Sequence, residues 1–172
     1  NFLFYFISSG FGMYLLLRYF KLNKYSAIFS AVGFMIMPYM IVMTAYGHGS
    51  QIMTASYIPW IILFLFRSLE QKKIYNYAIL SLLIGLQLQR GHIQIAYYTW
   101  MMLGLFIVIK FFSEFKYLNF NIVKKYIVLT CSIIFGFLMS LNIYLPVLNY
   151  SSHSIRGSNE GGAGIDFATQ WS

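Results

Sequence analysis

Six long apolar runs divide this chain, and each is close to the length at which a helix crosses the hydrocarbon core of a bilayer, about 30 Å. Backbone groups in lipid have to satisfy one another's hydrogen bonds, and the runs lack the polar–apolar alternation that is typical of barrel strands. We therefore predict an all-α fold, a polytopic bundle of about six transmembrane helices. The runs cover residues 2–20, 26–45, 52–66, 74–88, 93–112 and 126–148.

The composition excludes a soluble domain and gives no sign of nucleic-acid binding. The chain is 59% hydrophobic and 9% charged, whereas soluble domains have about 25% charged residues. Its net charge of +8 comes from short basic clusters between the apolar runs, which is the distribution that the positive-inside rule predicts. No extended basic surface is left for a nucleic acid. Membrane lipids are therefore the predicted partners.

The basic residues also predict an orientation. Ten of the 12 Lys and Arg residues fall on one side of the membrane, which the positive-inside rule makes cytoplasmic. Arg90 and Arg156 fall on the other side, and both ends of the chain then face outward. The ten are Arg18, Lys21, Lys24, Arg67, Lys72, Lys73, Lys110, Lys116, Lys124 and Lys125.

Reporter fusions test this orientation. A reporter that is active only outside the cytoplasm, joined after Lys72, is expected to be silent, because the basic residues retain that segment on the cytoplasmic side. Activity at this position would overturn the predicted topology.

Some features interrupt the simple six-span pattern. The third and fourth runs are short, so they are either spans in a thinned region or a re-entrant pair. Pro38 and Pro59 lie within runs and are expected to kink their helices, and Pro146 lies near the end of the last run. We assign residues 1–148 to the membrane region and 149–172 to a Gly-rich extracytoplasmic loop. Because the chain begins with Asn1 rather than Met, we expect it to be a fragment of a longer protein.

The predicted outer side collects an unusual set of polar residues, including all three histidines. The third and fifth runs both begin there, and helix N-termini carry free N–H groups and partial positive charge. Together with arginine they form an anion site that suits a phosphate or diphosphate on a lipid carrier. Helix capping and contact with lipid headgroups are the open alternative. The candidate binding residues are His48, Gln51, Arg90, His92, Gln94, Arg156 and Gln170.

Other chemistries have weaker support in the sequence. The histidines contain no local ligand pair such as His-x-x-x-His, so we predict no metal site and no cofactor, with a divalent ion left as an unsupported alternative. Asp166 is a weak candidate for a general base in the Gly-rich loop. Glu70 and Glu114 lie among lysines on the predicted cytoplasmic side, where charge pairing in loops explains them. Cys131 is interpreted as a small apolar residue.

Four motifs in this order resemble the YfhO family of bacterial membrane proteins. They are Gly-His-Gly-Ser-Gln at 47–51, Gln-Arg-Gly-His-Ile-Gln-Ile-Ala-Tyr-Tyr at 89–98, Tyr-Ser-Ser-His-Ser-Ile-Arg-Gly-Ser at 150–158 and Gly-Ile-Asp-Phe-Ala-Thr-Gln-Trp-Ser at 164–172. The resemblance covers nearly the whole chain and includes all the candidate binding residues as well as Asp166. It implies a longer, multi-pass protein of the bacterial cytoplasmic membrane.

The resemblance also implies likeness to GT-C glycosyltransferases, which take sugar from a polyprenyl-phosphate donor at the outer face and decorate cell-envelope polymers or lipids. In such enzymes the catalytic carboxylate usually lies in the first outer loop, which would precede Asn1, so we assign no catalytic residue. A non-catalytic assembly subunit is the alternative. A lipid or solute transporter is less favoured, because transporters bind substrate near mid-membrane and these runs are almost uncharged at their centres.

Overall fold

The computed structural model describes residues 2–71, 73–117 and 119–151, and within these ranges all regular structure is α-helical. This confirms the predicted all-α class. Eight helices follow one another along the chain: α1 (Phe2–Tyr19), α2 (Lys24–Met35), α3 (Pro38–Ala45), α4 (Gly49–Ser56), α5 (Ile58–Gln71), α6 (Ile74–Leu88), α7 (Ile93–Phe115) and α8 (Phe120–Ser151).

These helices group into six helical segments, as the apolar runs predict. The α2–α3 pair forms one segment of 22 residues, and the α4–α5 pair forms one of 23 residues. Among the described residues, five of these segments are long and apolar enough to cross a membrane, and α6 is a shorter apolar helix of 15 residues. The chain is therefore built as a multi-pass membrane protein.

Prolines mark the interruptions within two of the spans. The α3 helix begins at Pro38, where the ring's fixed φ suits the first helical turn and its missing N–H costs nothing. The α5 helix has Pro59 at its second position, after a break at Tyr57. Both interruptions agree with the predicted kinks. Pro146 lies inside α8, which continues to Ser151, three residues beyond the predicted end of the last run.

The third span is longer than the apolar run predicted. Residues 52–66 suggest a short segment, but the helical pair extends over Gly49–Gln71. Polar residues such as Gln51 and Arg67 continue the helix at both ends. Because they are polar, the apolar run stops before them although the helix does not. The expectation of a short third span is therefore wrong.

The spans meet at two opposite ends of the bundle. At the first, which we call the histidine end, Gly49 lies against the ring of Phe2, and Tyr144 donates a hydrogen bond to the carbonyl oxygen of Leu88 at 2.9 Å. At the second, which we call the lysine end, Tyr19 donates to Glu70 at 2.5 Å. The α4–α5 pair and α6 therefore each run from one end of the bundle to the other.

The core lies between α5 and α6, and the other helices surround it. Ile61, Leu63 and Ile84 are fully buried there. The α6 and α8 helices pack especially closely, because Gly136 on α8 brings its backbone against Ile84 on α6. Small residues allow this approach in membrane proteins, where packing rather than the hydrophobic effect joins helices. Most apolar side chains on α2, α7 and α8 remain exposed, as lipid-facing surfaces require.

Candidate functional site

Four chain segments converge at the histidine end. An apolar cluster with fully buried Ile52 and Met40 at its centre packs against Tyr5 and Ile95. Ile52 lies in the first turn of α4, and Ile95 lies in the first turn of α7. The two helix N-termini on which the predicted anion site depends are thus held against one cluster, together with the start of α1.

Arg90 follows α6 at this end and is half-buried. Its Nη1 donates a hydrogen bond to the Tyr5 hydroxyl at 3.0 Å, and its Nε donates to the carbonyl oxygen of Leu86 at 3.4 Å. The guanidinium carbon lies 5.9 Å from the centre of the Tyr5 ring, a cation–π contact. Gly91 comes next with a φ of 79°, which lets the chain turn sharply into α7. These contacts hold the arginine side chain against α1 and α6, at the turn between α6 and α7.

A groove runs from Arg90's contacts along α1, α5 and α6 toward the middle of the bundle. It encloses about 370 Å³, and its wall includes Tyr5, Tyr57, Trp60 and Leu83. The indole nitrogen of Trp60 donates to the carbonyl oxygen of Ser8 at 2.9 Å, which fixes one wall. The lining is mostly apolar. Arg90 does not line this groove itself, but it contacts Tyr5 at one end of it.

The other predicted site residues make local contacts or none. Gln51 accepts a hydrogen bond from the Tyr39 hydroxyl at 2.9 Å, which joins α3 to α4. His92 caps α7, since its Nδ1 accepts the Ile95 N–H at 3.4 Å. His48 occupies the N-cap position of α4 without a capping bond, and both it and Gln94 are exposed. Capping therefore accounts for His92, and the anion role of this group stays a prediction.

Three predicted site residues, Arg156, Asp166 and Gln170, lie outside the described residues. Among the residues that the structure does describe, His, Cys, Asp and Glu side chains form no group of three that could hold a metal ion. Of the predicted binding residues within the described ranges, Arg90 is the one whose side chain is shown bonded to a residue that lines the groove, Tyr5.

Comparison with known proteins gives one match. A family described as the 6-pyruvoyl-tetrahydropterin synthase related domain, a membrane protein, matches residues 2–158. The chain belongs to this family. No curated protein and no solved structure matches the chain. The family description agrees with the multi-pass membrane architecture, but it names neither the YfhO family nor a glycosyltransferase, so both stay predictions.

One feature of this membrane domain was not predicted from the sequence, a buried network of polar side chains. Gln87 on α6 is fully buried. Its Nε2 donates to the carbonyl oxygen of Thr54 at 3.3 Å, and its Oε1 accepts from the indole of Trp100 at 3.1 Å. The network joins α4, α6 and α7 beneath the histidine end. The sequence contained a sign of this network, because a glutamine inside a membrane-spanning apolar run needs hydrogen-bond partners from the protein.

The two acids of the described residues lie at the lysine end, within helices rather than loops. Glu114 on α7 pairs with Lys110 at 3.6 Å and, more closely, with buried Lys125 on α8. Glu70 on α5 accepts from the Tyr19 hydroxyl, and it forms no ion pair with a lysine of the described ranges. Charge pairing is therefore confirmed for Glu114. The predicted loop positions were wrong, because the helices extend past their apolar runs.

Proposed function

We propose that this chain is part of a membrane glycosyltransferase, related to the YfhO family, that uses a polyprenyl-phosphate-linked sugar donor at the extracytoplasmic face. The histidine end would then be the outer end. The observation that carries the proposal is the position of Arg90 beside the mouth of the apolar groove. A lipid-linked phosphate needs both a cation at the membrane surface and an apolar channel below it.

Electrostatics support a phosphate at this mouth. A guanidinium forms paired hydrogen bonds to phosphate and remains charged at all physiological pH values. The N-termini of α4 and α7 add partial positive charge at the same end. Arg90 donates to a neutral phenol, Tyr5, so a phosphate oxygen can compete for a stronger, charge-assisted bond.

The groove supports an isoprenoid tail. Its wall is aromatic and aliphatic, from Tyr57 near the mouth to Phe64 and Ile79 further along. It lies between α1, α5 and α6, where exposed Phe4 faces the surroundings, so a lipid can enter sideways from the bilayer. An apolar tail leaving lipid for such a wall loses no hydration, so the phosphate contact decides position and specificity.

The proposed reaction moves the sugar from phosphate to an acceptor hydroxyl. The bond between the sugar's anomeric carbon and the phosphate oxygen breaks, and the acceptor oxygen takes its place. Arg90 stabilises the negative charge that develops on the departing phosphate. The acceptor proton requires a base, and the described residues of the histidine end contain no Asp or Glu. Asp166 stays the candidate within this chain, with His48, Gln94, Arg156 and Gln170 proposed as sugar or phosphate contacts.

Arg90→Ala tests the proposal in the purified longer protein of which this chain is expected to be part, in lipid nanodiscs. The affinity for a polyprenyl-phosphate sugar, and its turnover, are expected to fall about ten- to a hundredfold, the range that corresponds to losing one charged hydrogen bond. Binding is followed by tryptophan fluorescence, since Trp60 lines the groove, and turnover by sugar release. Arg18→Ala is the matched control, because Arg18 is an arginine at the lysine end.

Unchanged binding and turnover in Arg90→Ala contradict the proposed role. Binding that depends on Arg90 without any sugar release in the wild-type protein favours the non-catalytic assembly subunit, whose outer end would hold a lipid phosphate for a partner enzyme.

A further inference from the structure

A second groove lies between α6 and α8 and extends from the lysine end along the two helices. It encloses about 540 Å³. Its wall is apolar and includes the exposed residues Ala78, Leu82, Cys131 and Phe135. The groove follows the outer seam of the two helices, and exposed residues of both helices border it. It shares no residue with the groove beside Arg90.

The lysine end of this groove is basic. An adjoining cavity of about 370 Å³ shares Ile74, Tyr77 and Val128 with it and is also lined by Asn121, Lys124 and Lys125. The two cavities therefore form one continuous surface. An apolar seam in the membrane thus ends in a polar, cationic mouth.

The two lysines of the mouth differ in their pairing. Lys125 is buried, and its charge is offset by Glu114. Lys124 is exposed, and among the described residues it forms no ion pair. A positive charge at the mouth is therefore left without a counter-ion in the described part of the chain, beside the amide of Asn121.

We propose that this surface binds an anionic phospholipid. The phosphate headgroup contacts Lys124 and Asn121, and an acyl chain lies in the seam between α6 and α8. The groove is charged at the end of the bundle and apolar toward the middle. A phospholipid has the same arrangement, with a charged headgroup followed by apolar acyl chains. Basic residues beside a membrane surface attract anionic lipids in this way.

Charge selects this occupant over a second protein segment. An uncharged apolar helix seated in the seam would cover the apolar wall but leave the Lys124 ammonium without a counter-ion, whereas an anionic headgroup neutralises it. The site is independent of the proposed glycosyl transfer, and it ties the lysine end to the leaflet that is rich in anionic lipid.

Native mass spectrometry of the full chain tests the proposal. The protein is released from detergent and titrated with phosphatidylglycerol or with phosphatidylcholine of the same acyl chains. Retention of the anionic lipid is expected to be several-fold stronger, and Lys124→Gln is expected to reduce it about fivefold, the factor for one basic contact near an anionic surface. Ala78→Trp, at an exposed position, is expected to reduce it by filling the seam.

Lys116→Gln is the matched control, because Lys116 is an exposed lysine of the same end outside both cavities. Equal retention of the two lipids overturns the proposal, as does full retention of phosphatidylglycerol in Lys124→Gln or in Ala78→Trp. A dimer that dissociates with either substitution, in place of lipid loss, assigns the surface to a second copy and also overturns it.

Discussion

Gly136→Leu is expected to destabilise the bundle strongly, because it adds a side chain where α6 and α8 leave no space for one. A Cβ at this position would lie 2.7 Å from the Ile84 Cβ and 2.8 Å from the carbonyl oxygen of Ser81. One of these neighbours is backbone, so α8 has to move away from α6. Overpacking of this kind costs about 1–3 kcal/mol or more. Thermal unfolding in detergent, followed by size-exclusion chromatography, measures the loss.

Gly104→Leu provides the control for that experiment. Gly104 lies within α7, and a Cβ there would meet nothing within 4 Å. Both substitutions add the same side chain to a membrane helix, so their difference isolates the contact between α6 and α8. Equal stability of the two variants would show that these helices do not pack as closely as described.

Gln87→Leu is expected to have the second largest effect. The substitution removes the acceptor for the Trp100 indole N–H and the donor to the Thr54 carbonyl oxygen, two groups in the interior of the bundle. Leaving a buried polar group unpaired costs about 1–3 kcal/mol. Leucine has nearly the same volume, so the loss reports hydrogen bonding rather than a cavity. The same unfolding assay measures it.

A second substitution distinguishes this cause from a packing change. Replacing both partners of a buried hydrogen bond by apolar groups is close to neutral, so adding Trp100→Phe to Gln87→Leu is expected to recover part of the stability. If the double variant loses the sum of the two single effects, the Gln87–Trp100 bond contributes nothing.

The helical architecture could be predicted from the sequence because lipid imposes a simple rule on backbone hydrogen bonds. The break before Pro38 also followed from local chemistry, since the ring cannot continue a helix that begins earlier. Hydropathy failed at the ends of spans. Gln51 and Arg67 are polar yet helical, so the third span extended beyond its apolar run.

The site was predicted less completely, because its geometry depends on contacts between distant residues. Arg90 was identified by its charge beside a predicted span. Its partner Tyr5 is 85 residues away, and nothing in the first apolar run distinguishes it from other tyrosines. Two other predicted binding residues make local hydrogen bonds instead. His92 caps α7, and Gln51 bonds to Tyr39. Residue type alone does not separate these roles.

The short α6 helix imposes a hydrophobic mismatch on the membrane around it. Its 15 residues rise about 22 Å, against an apolar bilayer thickness of about 30 Å. Lys73 precedes the helix and Arg90 follows it. Either the bilayer thins locally or these two side chains extend to reach the interface. In both cases the energetic cost depends on bilayer thickness, so the composition of the membrane, and not the protein alone, sets how deep the Arg90 charge lies.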